Sequence, residues 1–204
     1  MKTKHTSLVK DDKLYEMVYD KQNKKTSFAF LGPDGLVDYL DNIETTTKET
    51  YYPFSSDSNF VKSGMVLFPS CAEDYINETV LLSEIRMLVN KYLEVSEFIQ
   101  EIIPYYILLT WIYDDFYELP YLRVLGDYGT GKSRFIKIVG SICYKPMFTI
   151  GAVSDASVFR VIDEIKGTLI IDEADMRYSD SDNTLIQILN SGYQRDFPIY
   201  RCLD

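Results

Sequence analysis

Residues Gly126-Asp127-Tyr128-Gly129-Thr130-Gly131-Lys132-Ser133 follow the spacing G-x-x-x-x-G-K-[ST] in full. Binding a triphosphate asks for this composition. Successive backbone N–H groups must wrap around one anion, and glycines permit both the backbone angles and the close approach. In this pattern Lys132 brings a cation to the β- and γ-phosphates, and the Ser133 hydroxyl is a ligand for Mg²⁺. Arg134 follows in the first turn of the helix expected from Lys132 to about Cys143, and the positive dipole end of that helix adds to the same site.

A second element lies further along. Gly167-Thr168-Leu169-Ile170-Ile171-Asp172-Glu173-Ala174-Asp175 reads as an apolar strand that ends in two carboxylates. Asp172, at the strand end, is placed to hold Mg²⁺ through its water shell, and Glu173 to polarise a water for in-line attack on the γ-phosphate. A buried strand with a charged end accounts for Leu169 to Ile171, but it gives no reason for the acids to follow at once. The expected site is therefore one for ATP and Mg²⁺, with Lys132 and Glu173 as catalytic residues. The nucleotide-binding set is Gly126 through Arg134, and the metal set is Ser133 and Asp172. The GTPase pattern N-K-x-D is absent: Asn23-Lys24-Lys25-Thr26 and Asn90-Lys91-Tyr92-Leu93 both lack the Asp. No L-S-G-G-Q signature precedes the acidic strand.

These residues need a scaffold. Tyr121 to Leu125 is expected as the strand leading into the glycine loop, Met147 to Ile150 as a second strand, and Thr168 to Ile171 as a third. Upstream the pattern is helical. Ser70 with Glu73 offers a capping box, Leu81, Ile85, Leu88 and Tyr92 make one apolar stripe, and Ser96 caps a helix expected over Phe98 to Tyr117, bent near Pro104. The first 70 residues mix β-like runs (Leu14 to Tyr19, Ser27 to Leu31) with a turn at Gly32-Pro33-Asp34-Gly35 and a polar stretch over Thr45 to Thr50. The expected organisation is a small β-rich or partly ordered region over 1–70, a helical lead-in over 71–118, and an α/β core of P-loop type over 119–204.

Composition bounds the rest. The chain has 204 residues, 46% of them hydrophobic and 25% charged, which is ordinary globular usage. Its net charge of −10 is unevenly placed. Residues 1–25 hold seven lysines against four acids, residues 26–118 four basic residues against sixteen acids, and residues 119–204 ten against eleven. An acidic middle reads first as a solvated face, with a basic partner as the alternative. Cys71, Cys143 and Cys202 form neither a disulfide framework nor a zinc pattern, which fits a cytoplasmic location. The most apolar run, Ile102 to Tyr113, is shorter than the ~20 residues of a membrane span, so a buried helix is expected and no membrane partner. Asp175, Asp180, Asp182 and Asn183 lack the Gly and Glu of a calcium loop and read as a solvated loop. Asn77-Glu78-Thr79 is a sequon by pattern only.

Together Val124 through Ser133, Thr168 to Asp175 and Ile188-Leu189-Asn190-Ser191-Gly192-Tyr193-Gln194-Arg195 look like a known group. From about Tyr105 to Arg201 the chain resembles AAA+-like P-loop ATPases of phages, plasmids and integrated elements, akin to their replicative helicases or primase-helicases. The resemblance implies a three-layer α/β/α P-loop core and ATP hydrolysis, with the full-length protein working as a homo-oligomeric ring on DNA. Under it, Arg195 faces phosphate or a neighbouring subunit; as an ordinary surface arginine it does neither. The sheet order of that group is 5-1-4-3-2, and Phe197 to Arg201 reads as at most one short extra strand. Both neighbours of the first strand would then lie beyond Asp204, so an incomplete parallel sheet is expected. The alternative function is a nucleotide-dependent switch or assembly module that does not act on DNA.

Overall fold

The computed structural model describes residues 2–45, 47–150 and 155–172, together with Gly192. The described chain is a mixed α/β structure in which three small sheets and five α-helices pack around three apolar clusters.

Four strands near the N-terminus form an antiparallel meander: β2 (Ser7–Lys10), β3 (Lys13–Asp20), β4 (Lys25–Leu31) and β5 (Val37–Leu40). The β2–β3 loop is the pair Asp11 and Asp12, both at positive φ (49° and 57°), which matches the twist of the flanking strands. Alternation along β3 and β4 sends Tyr15, Met17 and Phe28 to one face. There they meet Ile43, Tyr51 and Val61. These come from a second sheet, in which β7 (Thr50–Pro53) lies between β1 (Lys2–His5), parallel to it, and β6 (Ile43–Glu44), antiparallel, and from the short helix α1 (Asn59–Lys62).

Two helices follow, α2 (Glu78–Tyr92) and α3 (Glu97–Trp111). Here the expectations need correction. Ser70 and Glu73 start no helix; Asn77 does, its Oδ1 accepting from the Val80 N–H at 3.0 Å. Residues 71–76 carry no apolar stripe to bury and are exposed. The helix expected to reach Tyr117 ends at Trp111, and a single 3₁₀ turn covers Tyr113–Asp115. Ser96 precedes α3 without a side-chain capping bond. Pro104 lies inside α3, where a proline costs ~3 kcal/mol or more. Val89, Ile103 and Ile107 are each about 1% exposed and pack together around it. Burying each such side chain contributes ~1.5–3 kcal/mol, which outweighs the proline.

The last part holds α4 (Lys132–Gly140), β8 (Met147–Ile150), α5 (Asp155–Ile165) and β9 (Leu169–Asp172). β8 and β9 are parallel, Met147 opposite Leu169 and Phe148 opposite Ile170. The pleat gives this pair two faces. α4 lies on one, with Gly140 against Phe148 and Ile170, and α5 on the other, with Val161, Ile162 and Ile165 beside Met147 and Leu169. Residues 65–67 run antiparallel along the other edge of β8, with N–H bonds from Leu67 to Pro146 and from Phe148 to Met65. Tyr121 to Leu125 is not a strand.

Candidate nucleotide site

Two glycines give the 126–133 loop its shape. Gly129 and Gly131 sit at φ 81° and 87°, in the left-handed region that side chains avoid. Gly126 lies so close to the Thr130 hydroxyl that a Cβ there would come within 2.7 Å of it. Thr130 in turn ties the loop across itself, its Oγ1 donating to the Asp127 carbonyl at 2.8 Å. Gly131 is the residue before α4, and the Phe135 N–H closes the first helical turn on its carbonyl. The N–H groups of the first helical turn have no intrahelical acceptor, so they are available to an anion lying at that end.

The Lys132 ammonium folds back over the loop and donates to the Gly126 carbonyl at 2.7 Å and to the Asp127 carbonyl. A cation therefore sits at the mouth of the loop beside the helix N-terminus, where a phosphate would exchange two neutral carbonyls for a charge-assisted contact. Ser133, next in sequence, points the other way. Its hydroxyl donates to Asp172 Oδ1 at 3.0 Å, joining the two motifs although 39 positions separate them. Both groups are hard oxygen donors at the open end of a strand, the chemistry Mg²⁺ takes from proteins while keeping its own waters. Tyr128 and Arg134 are exposed at the rim. Glu173, Arg195, the 175–183 acidic cluster and, Gly192 apart, the 188–195 element lie outside the described residues.

No protein-family model, curated protein or solved structure matches this chain.

Behind the loop lies an apolar cleft of about 90 Å³ that none of residues 126–133 lines. Leu122 and Val124 are on one side of it, Thr168 to Ile171 on the other, and Tyr106, Val139 and Cys143 help close it. Leu122 and Val124 share this cleft with Thr168 to Ile171, and residues 121–125 form no ladder with β9, so no strand is present there. Burial pushes the Tyr106 hydroxyl upward and the Cys143 thiol up to about 11.

Sequence reasoning missed the contact that seats the N-terminal part against the start of β8, at the end of the β8–β9 pair away from Asp172. Lys145, fully buried, forms an ion pair with Glu16 Oε1 at 2.8 Å, while Glu16 Oε2 accepts from the Tyr144 hydroxyl at 2.9 Å. Its ammonium also lies 4.6 Å from the Tyr144 ring centre. The Thr6 hydroxyl adds a buried bond to the Ile165 carbonyl at 3.0 Å. A lone Lys in the run Cys143-Tyr144-Lys145-Pro146-Met147 was the available signal, since a lysine there must find an anion or lose its charge.

Proposed function

We propose that residues 126–134 with Asp172 hold a Mg-nucleoside triphosphate, and that the chain is an ATP-hydrolysing unit built on a P-loop three-layer α/β/α core. The observation that carries this reading is the Ser133–Asp172 hydrogen bond: the two groups that the motifs assign to one metal ion are already 3.0 Å apart. The parallel pair β8–β9 with a helix on each face supports the core. In this reading the loop N–H groups and Lys132 bind and orient the phosphates. Ser133 and Asp172 fix the metal, which when bound neutralises charge developing on the phosphates. Glu173, the residue after the strand, takes the proton of the attacking water.

The resemblance to AAA+-like ATPases extends the proposal to a motor of helicase or translocase type acting on DNA as a homo-oligomeric ring. One observation favours the second reading, a nucleotide-dependent switch or assembly module. Glu94, Glu97, Glu101, Asp114 and Asp115 are all exposed along one stretch of chain, and such a surface repels a phosphate backbone. Among the described residues no helix is long and apolar enough to cross a membrane.

Lys132→Ala tests the site directly. Affinity for a fluorescent ATP analogue with Mg²⁺ should fall by at least ~10-fold, the loss of one charge-assisted contact. Unchanged affinity would remove the assignment. ATPase activity measured with and without single- and double-stranded DNA separates the two readings, stimulation marking the motor.

A further inference from the structure

We infer that the outward face of α3 is a docking surface for a basic amphipathic helix of a partner protein. Helix α3 is apolar on two sides. Its inner side puts Ile103 and Ile107, each 1% exposed, against Val89 of α2. Its outer side carries Phe98, Ile102, Tyr105 and Leu109, spaced by four, three and four residues. The first three are 65%, 43% and 59% exposed. That alternation is the 3.5-residue repeat with which one helix seats its side chains between those of another. A contiguous apolar ridge left in solvent marks an interaction site, whereas singly scattered apolar residues need no explanation.

Charge selects the occupant. From Tyr92 to Leu122 there is no basic residue; Glu97 and Glu101 on α3, Glu94 before it and Asp114 and Asp115 after it are all exposed. Among the described residues none of these five is in a salt bridge. The basic residues nearest in sequence are Lys91, whose ammonium lies 5.5 Å from the Tyr92 ring centre, and Arg123. A second copy of α3, in either direction, would set carboxylates against carboxylates, and an anionic membrane would meet the same repulsion. A helix with Leu on its seam and Lys or Arg beside it satisfies both the ridge and its acidic flanks.

The test uses two labelled designed peptides of about 21 residues, three heptads with Leu at both seam positions, one flanked by Lys and the other by Glu. Fluorescence anisotropy should show the Lys peptide binding at least ~10-fold more tightly than the Glu peptide, with the gap closing as salt is raised. Phe98→Ser with Tyr105→Ser should abolish binding. The separate variant Glu94→Gln, Glu97→Gln, Glu101→Gln, which alters charge alone, should erase the preference and keeps the test valid if the first variant fails to fold. Equal binding of the two peptides, or binding of neither, overturns the proposal. So does a concentration-dependent dimer that disappears with Phe98→Ser and Tyr105→Ser, or binding to neutral phosphatidylcholine vesicles that the same pair of substitutions removes.

Discussion

Glu16 on β3 and Lys145, two residues before β8, are paired at 2.8 Å with the lysine wholly out of solvent. Burial wins over attraction on both sides of this pair. It pushes the Glu16 carboxyl above its ordinary range despite Lys145 and Tyr144, and it pushes the Lys145 ammonium below its own despite Glu16. Replacing one partner leaves the other charge buried alone. Glu16→Gln and Lys145→Met should each cost about 3–5 kcal/mol, whereas Glu16→Leu with Lys145→Met should be near neutral. Urea unfolding of the four proteins checks this, and a double variant as unstable as the singles refutes it.

The same pair makes stability depend on pH with a determined sign. A carboxyl raised in the folded state contributes fully below its unfolded value of 4.5, and the contribution is lost as pH rises through the folded value. For a lowered ammonium the cost is present below the folded value and is relieved as pH rises towards 10.5. Relative to the apolar double variant, the natural chain should therefore lose stability as pH rises above 4.5 and regain it towards 10.5. Urea midpoints across that range that run parallel in the two proteins would exclude the pair as the cause.

Cys143 and Cys71 should differ in reactivity. The Cys143 thiol is buried, donates to the Val139 carbonyl and is pushed from 9.0 to about 11, while Cys71 is exposed. Thiolate is the reactive form, so the shift alone slows Cys143 by ~100-fold below pH 9. Iodoacetamide at pH 8 followed by peptide mass mapping should label Cys71 before Cys143. Early labelling of Cys143 in the native chain would mean that the cluster around it opens.

At the candidate site, Ser133→Ala and Asp172→Asn should each weaken Mg²⁺-dependent nucleotide binding, and the double variant should lose less than the sum. Groups in contact show coupling of ~0.5–3 kcal/mol, which isothermal titration with and without Mg²⁺ resolves. Strict additivity would show that they do not share an ion. Glu173→Gln should keep binding and lose hydrolysis, and persistent turnover would remove Glu173 as the base.

Two glycines should fail in different ways. Gly131→Ala puts a side chain at φ 87°, a strain of ~1–3 kcal/mol confined to the loop, so nucleotide affinity should fall more than the melting temperature. Gly140→Ala instead drives a methyl into the Ile170 side chain, and overpacking of that kind costs ~1–3 kcal/mol of global stability. Thermal melts paired with binding measurements separate the two, and a loop variant that lost stability without affinity would reverse the assignment.

What sequence alone determined is local. The glycine loop is legible because left-handed positions and a helix start need particular residues at fixed offsets, and the structure has Gly129 and Gly131 at positive φ with α4 beginning at Lys132. Met147–Ile150 and Leu169–Asp172 are legible as short apolar runs bounded by breakers. Tyr121 to Leu125 has the same composition and is no strand, because pairing depends on what lies alongside. Ser70 is expected as the cap from its spacing to Glu73, but α2 starts after Asn77, where the buried stripe begins. The two motifs already pointed Ser133 and Asp172 at one ion, and the fold brings them within a hydrogen bond; only the tertiary structure decided that Glu16 meets Lys145. Residues far apart in the chain are brought together by the packing of whole elements, and no spacing in the sequence encodes that.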